Sequence, residues 1–472
     1  MRRLSGHGRQ RFPSGGSPAG SVRRSGGIDF TSICLGTRYV SHRGSTMSRY
    51  TRSIMRYGLD FGTTNTTVAI ERDNTCEVLP IGANRRPIIP SLIFFPEFGG
   101  ELMIGQNAID GYLNSGMNGR LMQSIKSFLP DKNFKGTTVG GQLGYATLEK
   151  LISVILSFVK KQADAYVGEQ VSEVIIGRPA LFSPDPERDA LAEARIVNAA
   201  HQAGFEEVYV QKEPIAAAFE YERRISGEEI AFIADFGGGT SDFTIMRLGP
   251  DHVDKADRSS DILGVDGVNV GGNNFDSSIM WRRLIRYFGS EIEYKDWDKW
   301  LPMPRHLMQD LCRWQRITFL KERKTREFVK HLLRTSNDAE PIERLITLIE
   351  ENLGFSLFQT IEKAKHNLSS GMDTQLAFNQ SGIVINECIS RPEFEELSNT
   401  HITKIGSCID QLLATSGLAA DQIDSFFVTG GTSYIPAVQK VLIDTFGAMK
   451  IRTGDAFISV AAGLALSRHD IS

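Results

Sequence analysis

The sequence predicts a two-lobed α/β protein, and three observations support this fold class. Residues 60–64 (Asp-Phe-Gly-Thr-Thr) resemble residues 235–239 (Asp-Phe-Gly-Gly-Gly), and each motif follows a short apolar stretch. An internal repeat outranks local patterns, so this one predicts two similar lobes. Helical and strand patterns alternate between the two copies, which is typical of a largely parallel sheet covered by helices. The length of 472 residues suits two or three domains.

The first lobe, predicted at 56–229, opens with a strand–turn–strand hairpin. Residues 57–61 are apolar, Gly62 and its neighbours turn the chain, and residues 66–71 are β-branched and apolar. A further strand is predicted at 76–81. Beyond it we expect a helix at 148–167, a strand at 174–177, a helix at 187–203 and a strand at 207–211.

The second lobe, predicted at 230–472, repeats the hairpin at 230–248 and is then mainly helical. All four tryptophans fall in a predicted helical insert at about 281–345, where a helical core is a simpler interpretation than a ligand site. The last helix is expected to pack back on the first lobe. The predicted elements are helices at 274–288, 305–333, 342–353, 355–370, 391–416, 435–446 and 458–467, and strands at 425–429 and 450–452.

Residues 1–55 form a basic extension without an apolar period, and we expect them to be disordered. The first 59 residues contain 11 Arg, no Lys and one acidic residue. Three interpretations compete: an organellar transit peptide, a basic interaction arm, or sequence translated upstream of a true start at Met47 or Met55. We favour the last one, because the first predicted strand begins directly after Met55. The missing apolar segment after the Arg pair excludes a secretory signal.

Composition excludes several function classes. Five widely spaced cysteines without a Cys-x-x-Cys motif argue against a structural zinc or a disulfide framework, and favour reduced thiols in the cytoplasm. A net charge of −3 implies no bulk attraction to nucleic acid, and apolar runs of about ten residues are too short to span a membrane. The sequence has no P-loop, no dinucleotide-binding glycine motif and no protein-kinase catalytic loop.

The two repeated turns are predicted to bind phosphate and a metal ion. A strand that ends in an acid and turns on Gly and Thr places backbone N–H groups around a concavity that suits phosphate oxygens. Asp60 and Asp235 end the two strands and would face each other across the repeat. Paired carboxylates near a polyphosphate are what a hydrated Mg²⁺ requires. One such turn alone would be read as a tight glycine turn, whereas two copies in register favour a nucleotide site.

Motifs spread along the chain resemble those of the DnaK-type 70-kDa heat-shock chaperones of the actin-like ATPase superfamily. They are the two phosphate signatures at 60–65 and 235–242, a connecting motif at 212–218 (Lys-Glu-Pro-Ile-Ala-Ala-Ala), an adenosine motif at 428–436, and the chaperone-specific segments at 361–370 and 389–397. The resemblance covers 57–467 and is closest to YegD-type chaperones. It implies an actin-like (ribonuclease H-like) fold with two duplicated lobes around a nucleotide cleft that holds ATP or ADP and Mg²⁺.

The resemblance also assigns roles to individual residues. Asp60 and Asp235 would hold Mg²⁺ through water, while Lys126, Glu213, Thr240 and Asp242 would form the catalytic set. Lys126 would neutralise charge on the transferred phosphoryl group, and Glu213, held extended before Pro214, would orient water or metal. The nucleotide-binding residues would be Gly62, Thr63, Thr64, Asn65, Gly237, Gly238, Gly239, Thr240, Gly272, Glu362, Lys365, His366, Ser369, Gly430, Gly431 and Thr432.

The adenosine helix has support from its own pattern. Apolar residues at 358, 361, 364 and 368 form one stripe, while Glu362, Lys365 and Ser369 share another face. His366 and Tyr434 stand where the resembling family usually has arginines, and residues 271–276 have Asn where that family often has acids. Adenine would then stack on an imidazole or phenol ring.

These features predict an ATP-binding, ATP-hydrolysing, chaperone-like protein that is a cytoplasmic monomer. A peptide-binding domain and its linker are not recognisable before Ser472, so we expect hydrophobic peptides to bind weakly. Two alternatives stay open: a non-enzymatic nucleotide-dependent switch or filament protein, and a small-molecule kinase. A protein partner on the second lobe is expected near Trp297, Trp300 or the basic segment 321–334. Neither nucleic acid nor a membrane is an expected partner.

Overall fold

The structure is a computed structural model that describes residues 55–72, 75–97, 99–139, 144–253, 255, 257–453 and 458–467. All of its elements lie within the unit Ser53–Ser472. Apart from Met55, the predicted disordered extension at 1–55 lies outside the described residues, so its interpretation stays a prediction.

The described strands occur mainly in the first half of the chain. They are β1 (Arg56–Phe61), β2 (Asn65–Arg72), β3 (Thr75–Val78), β4 (Ile88–Pro90), β5 (Leu92–Pro96), β6 (Met103–Ile104), β7 (Gly119–Gln123), β8 (Gly136–Thr138), β9 (Tyr145–Thr147), β10 (Glu173–Arg178), β11 (Glu207–Lys212), β12 (Glu229–Phe236), β13 (Ser241–Leu248), β14 (Ile262–Val268), β15 (Glu293–Asp296), β16 (Lys299–Pro302), β17 (Asp373–Gln380), β18 (Ile383–Ser390), β19 (Ser425–Thr429) and β20 (Ile451–Thr453).

The described α-helices become dense after residue 300. They are α1 (Gln106–Asn114), α2 (Leu148–Val167), α3 (Pro186–Gln202), α4 (Glu213–Glu222), α5 (Gly272–Ile279), α6 (Arg305–Leu311), α7 (Trp314–Ile317), α8 (Arg323–Thr335), α9 (Glu340–Glu350), α10 (Gly354–Ser370), α11 (Arg391–Ser416), α12 (Pro436–Phe446) and α13 (Ser459–Leu466).

Two sheets carry the predicted repeat. The first sheet has the order β11-β10-β1-β2-β3 with β4 on β2, and the second sheet has the order β14-β13-β12-β19-β20. In each sheet the repeated hairpin is antiparallel, and its first strand also pairs in parallel with a later strand: β1 with β10, and β12 with β19. Asp60 pairs with Thr67 in one hairpin, and Asp235 pairs with Asp242 at the equivalent position of the other. The predicted α/β fold with a duplicated hairpin is therefore confirmed.

Helix α13 packs closely against the first sheet and against α4. A Cβ atom added to Gly58 would lie 2.1 Å from the Ala465 nitrogen, and one added to Gly463 would lie 1.7 Å from the Ala216 oxygen. Only glycine allows two backbones to approach so closely. The last helix thus contacts β1 and β2, at the opposite end of the chain.

The insert differs from the helices predicted for it. The predicted helix 305–333 is broken into α6, α7 and α8, and the predicted helix 274–288 continues beyond α5 as a π-helical turn at Met280–Leu284 and a 3-10 turn at Ile285–Phe288. Residues 293–302 form the hairpin β15–β16. Its Trp297 and Trp300 are exposed, with relative exposures of 91% and 50%, whereas Trp281 and Trp314 pack against the core around β12 and α9.

Candidate functional site

The two repeated turns close in the same way and touch each other. The Gly62 N–H donates to the Asn65 oxygen at 2.8 Å, and the Gly237 N–H donates to the Thr240 oxygen at 2.9 Å. A Cβ atom at Gly238 would lie 2.4 Å from Thr64 Oγ1. The turns are therefore packed face to face, with room for glycine but not for a side chain.

Further backbone segments converge on the second turn. The N–H groups of Gly272 and Asn273, at the start of α5, donate to the oxygens of Gly237 and Gly238 at 3.1 and 2.9 Å. The Thr432 hydroxyl donates to the Gly237 oxygen at 2.9 Å. Gly430 has a φ of 84°, and a Cβ atom there would lie 2.1 Å from the Phe236 oxygen, so this position requires glycine.

A cavity of about 330 Å³ lies between these turns, and below it is called the main cavity. This volume is within the range of small-molecule sites. Every predicted site residue except Asp242 lines it. The predicted residues that it brings together are Asp60, Gly62, Thr63, Thr64, Asn65, Lys126, Glu213, Asp235, Gly237, Gly238, Gly239, Thr240, Gly272, Glu362, Lys365, His366, Ser369, Gly430, Gly431 and Thr432.

Lys126 and Glu213 form a buried ion pair in this cavity. Lys126 Nζ donates to Glu213 Oε1 at 2.5 Å, and the two residues are only 7% and 6% exposed. Burial opposes the ammonium charge, but the carboxylates of Glu213 and Asp60 outweigh it and hold the pKa of Lys126 above its usual value. Lys126 therefore stays protonated and can meet an anionic ligand.

Glu213 does not have the extended conformation expected before Pro214. It is the first residue of α4, with Pro214 in the first helical turn. Proline is tolerated there because the first N–H groups of a helix have no intrahelical partner. The prediction from the residue before proline was therefore wrong, although the side chain lines the main cavity.

The carboxylates around Lys126 outnumber it. Burial raises the pKa of Asp60 to about 7, and nearby Glu213 adds to this shift while Lys126 reduces it. Burial, with Glu213 and Asp60, also raises the pKa of Asp235. Acids that repel each other in a buried site favour a cation that would neutralise them. The arrangement thus fits a Mg²⁺ ion held through water between Asp60 and Asp235.

Asp242 lies behind the cavity wall rather than on it. It accepts a hydrogen bond from the Ala180 N–H at 2.6 Å, and its side chain is buried. Burial raises its pKa to about 7, and the Glu213 carboxylate adds to the shift. Its position suits an electrostatic or positioning effect better than direct contact with a ligand in the cavity.

Helix α10 and the segment after β19 supply another part of the lining of the main cavity. Lys365 Nζ donates to Asp276 Oδ2 at 2.8 Å and to the Gly272 oxygen at 3.3 Å. Burial raises the pKa of Asp276 to about 6 although Lys365 lowers it. His366 and Tyr434 both line the main cavity, so two ring systems are available to a planar base.

Sequence reasoning missed several lining residues. Phe236 and Ile435 lie within predicted motifs, and Thr67 and Asn273 lie close to predicted residues, so proximity to the motifs was the available signal. Val460 comes from α13, far along the chain, and no local pattern indicated it. Tyr434 was noted as a departure from the resembling family but was not predicted as a site residue. All six line the main cavity.

Two kinds of feature are absent from the described residues. No described helix has the length and apolarity that crossing a bilayer requires. Among the same residues, no group of three or more His, Cys, Asp or Glu side chains is arranged to hold a metal ion. The predicted Mg²⁺ site differs from such a group, because it uses two carboxylates through water.

Comparison with known proteins agrees with this architecture. The family described as "Hsp70 protein" matches residues 124–300 and 334–469. "Chaperone protein DnaK" of Thermotoga neapolitana is 26% identical over 425 residues, and that of Thermus thermophilus is 25% identical over 433 residues; each match covers 87% of this chain. The chain spans 58% and 60% of the length of these relatives. The closer resemblance to YegD-type chaperones stays a prediction. Because the family match covers more than half of its residues, the chain belongs to the Hsp70 family and has the family's actin-like ATPase fold.

Proposed function

We propose that the chain binds Mg²⁺-ATP in the main cavity and hydrolyses it, as a chaperone-like ATPase. One observation carries the proposal: two glycine turns touch at one end of the cavity, directly beside a buried Lys126–Glu213 pair and two aspartates. The relatives named chaperone protein DnaK support the chaperone-like assignment. Cytoplasmic location and a monomeric state stay predictions.

Both turns supply groups that suit the phosphates. Gly238 and Gly239 leave backbone N–H groups uncovered by side chains, and Thr63, Thr64 and Thr240 line the same space with hydroxyls. Backbone N–H groups in tight turns bind phosphate oxygens well. The β- and γ-phosphates would lie between the turns, with Mg²⁺ held near Asp60 and Asp235. When bound, the ion would neutralise phosphate charge.

Lys126 and Glu213 are proposed to act in hydrolysis. The Lys126 ammonium would stabilise the negative charge of the transferred phosphoryl group, which is the main contribution of a protein to phosphoryl transfer. Glu213 holds Lys126 in position through the 2.5 Å hydrogen bond. Its carboxylate can also accept a proton from an attacking water. Asp242, which lies behind the cavity wall, would act on this carboxylate electrostatically.

The nucleoside is proposed to lie in the part of the main cavity that is lined by α10 and by the segment after β19. Glu362, Lys365 and Ser369 of α10 would bind the ribose hydroxyls, and Gly430 and Gly431 allow the backbone to approach the sugar and the α-phosphate. His366 and Tyr434 would contact the base.

A second candidate function is a nucleotide-dependent switch that presents a surface to a protein partner. The exposed Trp297 and Trp300 on the hairpin β15–β16 favour it, since exposed aromatic side chains are typical of interaction sites. The basic helix α8 lies in the same insert. A small-molecule kinase stays a third alternative.

Purified protein incubated with ATP and Mg²⁺ distinguishes these functions. We expect the protein to bind the nucleotide and, under single-turnover conditions, to hydrolyse the bound ATP and release phosphate. Stable binding without phosphate release would favour the switch. No binding at millimolar ATP by folded protein would contradict both.

A further inference from the structure

A second cavity of about 230 Å³, here called the side cavity, lies beside the main cavity. Thr64, Asn65, Asn273 and Glu362 line both cavities. The remaining walls come from β4, β5, β7 and α1 on one side, and from α5, α7 and α10 on the other. These further lining residues are Pro90, Leu92, Ile109, Gln123, Asp276, Trp314, Phe355, Phe358 and Gln359.

One wall of the side cavity is aromatic. The ring centroid of Trp314 lies 5.5 Å from that of Phe355 and 5.7 Å from that of Phe358. Leu92 and Ile109 are apolar and also line the cavity. Such a wall buries the flat face of a ring, because aromatic rings pack well on one another and on aliphatic groups.

The polar groups of the side cavity favour a ligand without negative charge. Among the described residues, its lining includes two carboxyl groups, buried Asp276 and exposed Glu362, but no Lys, Arg or His. Lys365, which lines the main cavity, donates to Asp276 Oδ2, so the carboxylate that it leaves uncompensated is that of Glu362. Asp276 Oδ1 and Trp314 Nε1 are buried and have no hydrogen-bond partner among the described residues. A buried polar atom without a partner is unfavourable, so a ligand that supplies one gains affinity.

We propose that the side cavity binds a small ring compound that is neutral or cationic and carries an N–H or O–H donor. The ring would lie against Trp314 and Phe358, and the donor would face the carboxyl groups. The carboxylate of an anion of the same shape would be repelled by Glu362, and it has no proton to donate to Asp276 Oδ1. The proposal rests on the cavity itself and does not require nucleotide binding.

Three indole compounds of similar shape test this charge preference. Tryptophol is neutral, tryptamine is cationic and indole-3-acetate is anionic at pH 7. Calorimetric titration of the full chain without nucleotide should show that tryptophol and tryptamine bind at least tenfold more tightly than indole-3-acetate. Equal binding of all three, or binding of none at millimolar concentration, would overturn the proposal.

Two variants of α10 locate the binding. Gln359 is exposed and lines only the side cavity, so Gln359→Trp fills that cavity without disturbing the core. Lys363 is exposed on the same helix and lines neither cavity, which makes Lys363→Trp the matched control. We expect Gln359→Trp to weaken tryptamine binding at least tenfold and Lys363→Trp to leave it unchanged, with both variants melting like the parent. Retained binding in a folded Gln359→Trp variant would place the ligand elsewhere and refute the proposal.

Discussion

At the scale of single residues, Lys126 is the side chain whose removal should separate binding from catalysis. Its ammonium is buried and paired with Glu213, so it is held where a transferred phosphoryl group would develop charge. We expect Lys126→Ala to bind Mg²⁺-ATP while slowing single-turnover hydrolysis by about two orders of magnitude or more. Quench-flow measurement of phosphate on the preformed complex checks the rate.

The control for this variant must address stability, because removing one partner of a buried ion pair costs about 3–5 kcal/mol. The double variant Lys126→Ala/Glu213→Ala avoids the uncompensated carboxylate. Exposed Lys161 provides a matched substitution, Lys161→Ala, that should change neither binding nor rate. If Lys126→Ala lost affinity and rate equally, the lysine would be structural.

Gly238 should set how closely the two turns approach. A Cβ atom there would lie 2.4 Å from Thr64 Oγ1, so Gly238→Ala must displace either the Thr64 hydroxyl, which lines the main cavity, or the turn itself. We expect a loss of ATP affinity of about tenfold or more, which corresponds to about 1.4 kcal/mol. At Gly227 an added Cβ atom meets no described atom within 4 Å, so Gly227→Ala is the control. Fluorescent-nucleotide titration compares them, and equal affinities would show that the turns do not form the site.

At the scale of elements, the sequence predicted the bounds of helices and strands best where local patterns and tertiary packing agree. The bounds of α2, α11 and β19 agree with those predicted from apolar periodicity and flanking turn residues. Helix α11, for example, begins at a Ser N-cap followed by proline and ends at a glycine with a φ of 68°. These local signals are sufficient because they coincide with the limits of the buried face.

Elements were missed where tertiary contacts override local patterns. The predicted helix 305–333 contains neither glycine nor a proline after its start, yet it breaks near Cys312 and at Glu322. The hairpin β17–β18 was not predicted, although its burial alternates residue by residue and Ser381 and Gly382 turn with positive φ. That alternation was a readable signal.

The hairpin β17–β18 leads to a prediction on pH. Glu387 of β18 accepts hydrogen bonds from Arg283, Arg286 and the Tyr287 hydroxyl, the last at 2.6 Å. Although burial opposes it, these partners lower the pKa of Glu387 to about 2. A carboxyl group whose pKa is lowered by folding contributes its full stabilisation at pH values above its unfolded pKa, near 4.5. This contribution disappears as the pH falls toward the folded pKa of about 2.

Glu387→Gln should remove this pH dependence. We expect it to destabilise the protein by about 1–2 kcal/mol at pH 7, a figure kept low because Arg286 is partly exposed to solvent, and by roughly half of that or less near pH 3. Denaturant unfolding at both pH values measures the difference. Exposed Glu396 offers the control Glu396→Gln. A loss of equal size at both pH values would mean that Glu387 acts through packing rather than charge.

At the scale of the whole molecule, the main cavity is assembled from segments that are distant in sequence. The motifs predicted nearly all of its lining because each one is a turn or helix face whose residues stay together. They could not reveal Val460, which reaches the cavity only because α13 packs against β1 and α4. Nor could they reveal the side cavity, which depends on Trp314 in the insert. Residues 301–333, which the Hsp70 family match skips, include that tryptophan.

The balance of charge across the two sheets predicts how nucleotide stabilises the whole protein. Asp60 belongs to the first sheet and Asp235 to the second, and Lys126 is outnumbered by the carboxylates near the cavity. Without a cation, these carboxylates would repel ATP. We therefore expect millimolar Mg²⁺-ATP to raise the melting temperature, because a ligand that binds only the folded state stabilises it by mass action. At a ligand concentration 100 times the dissociation constant, the free energy of unfolding rises by about 2.7 kcal/mol.

The same experiment with excess EDTA provides the decisive comparison. ATP without Mg²⁺ should give a much smaller shift, because its phosphates then meet uncompensated carboxylates between the two sheets. AMP, which has no β- or γ-phosphate to reach them, should give a small shift that is the same with and without Mg²⁺. If EDTA left the ATP-induced rise in melting temperature unchanged, Asp60 and Asp235 would not face a metal–phosphate complex. The proposed orientation of the nucleotide in the main cavity would then have to be reversed or abandoned.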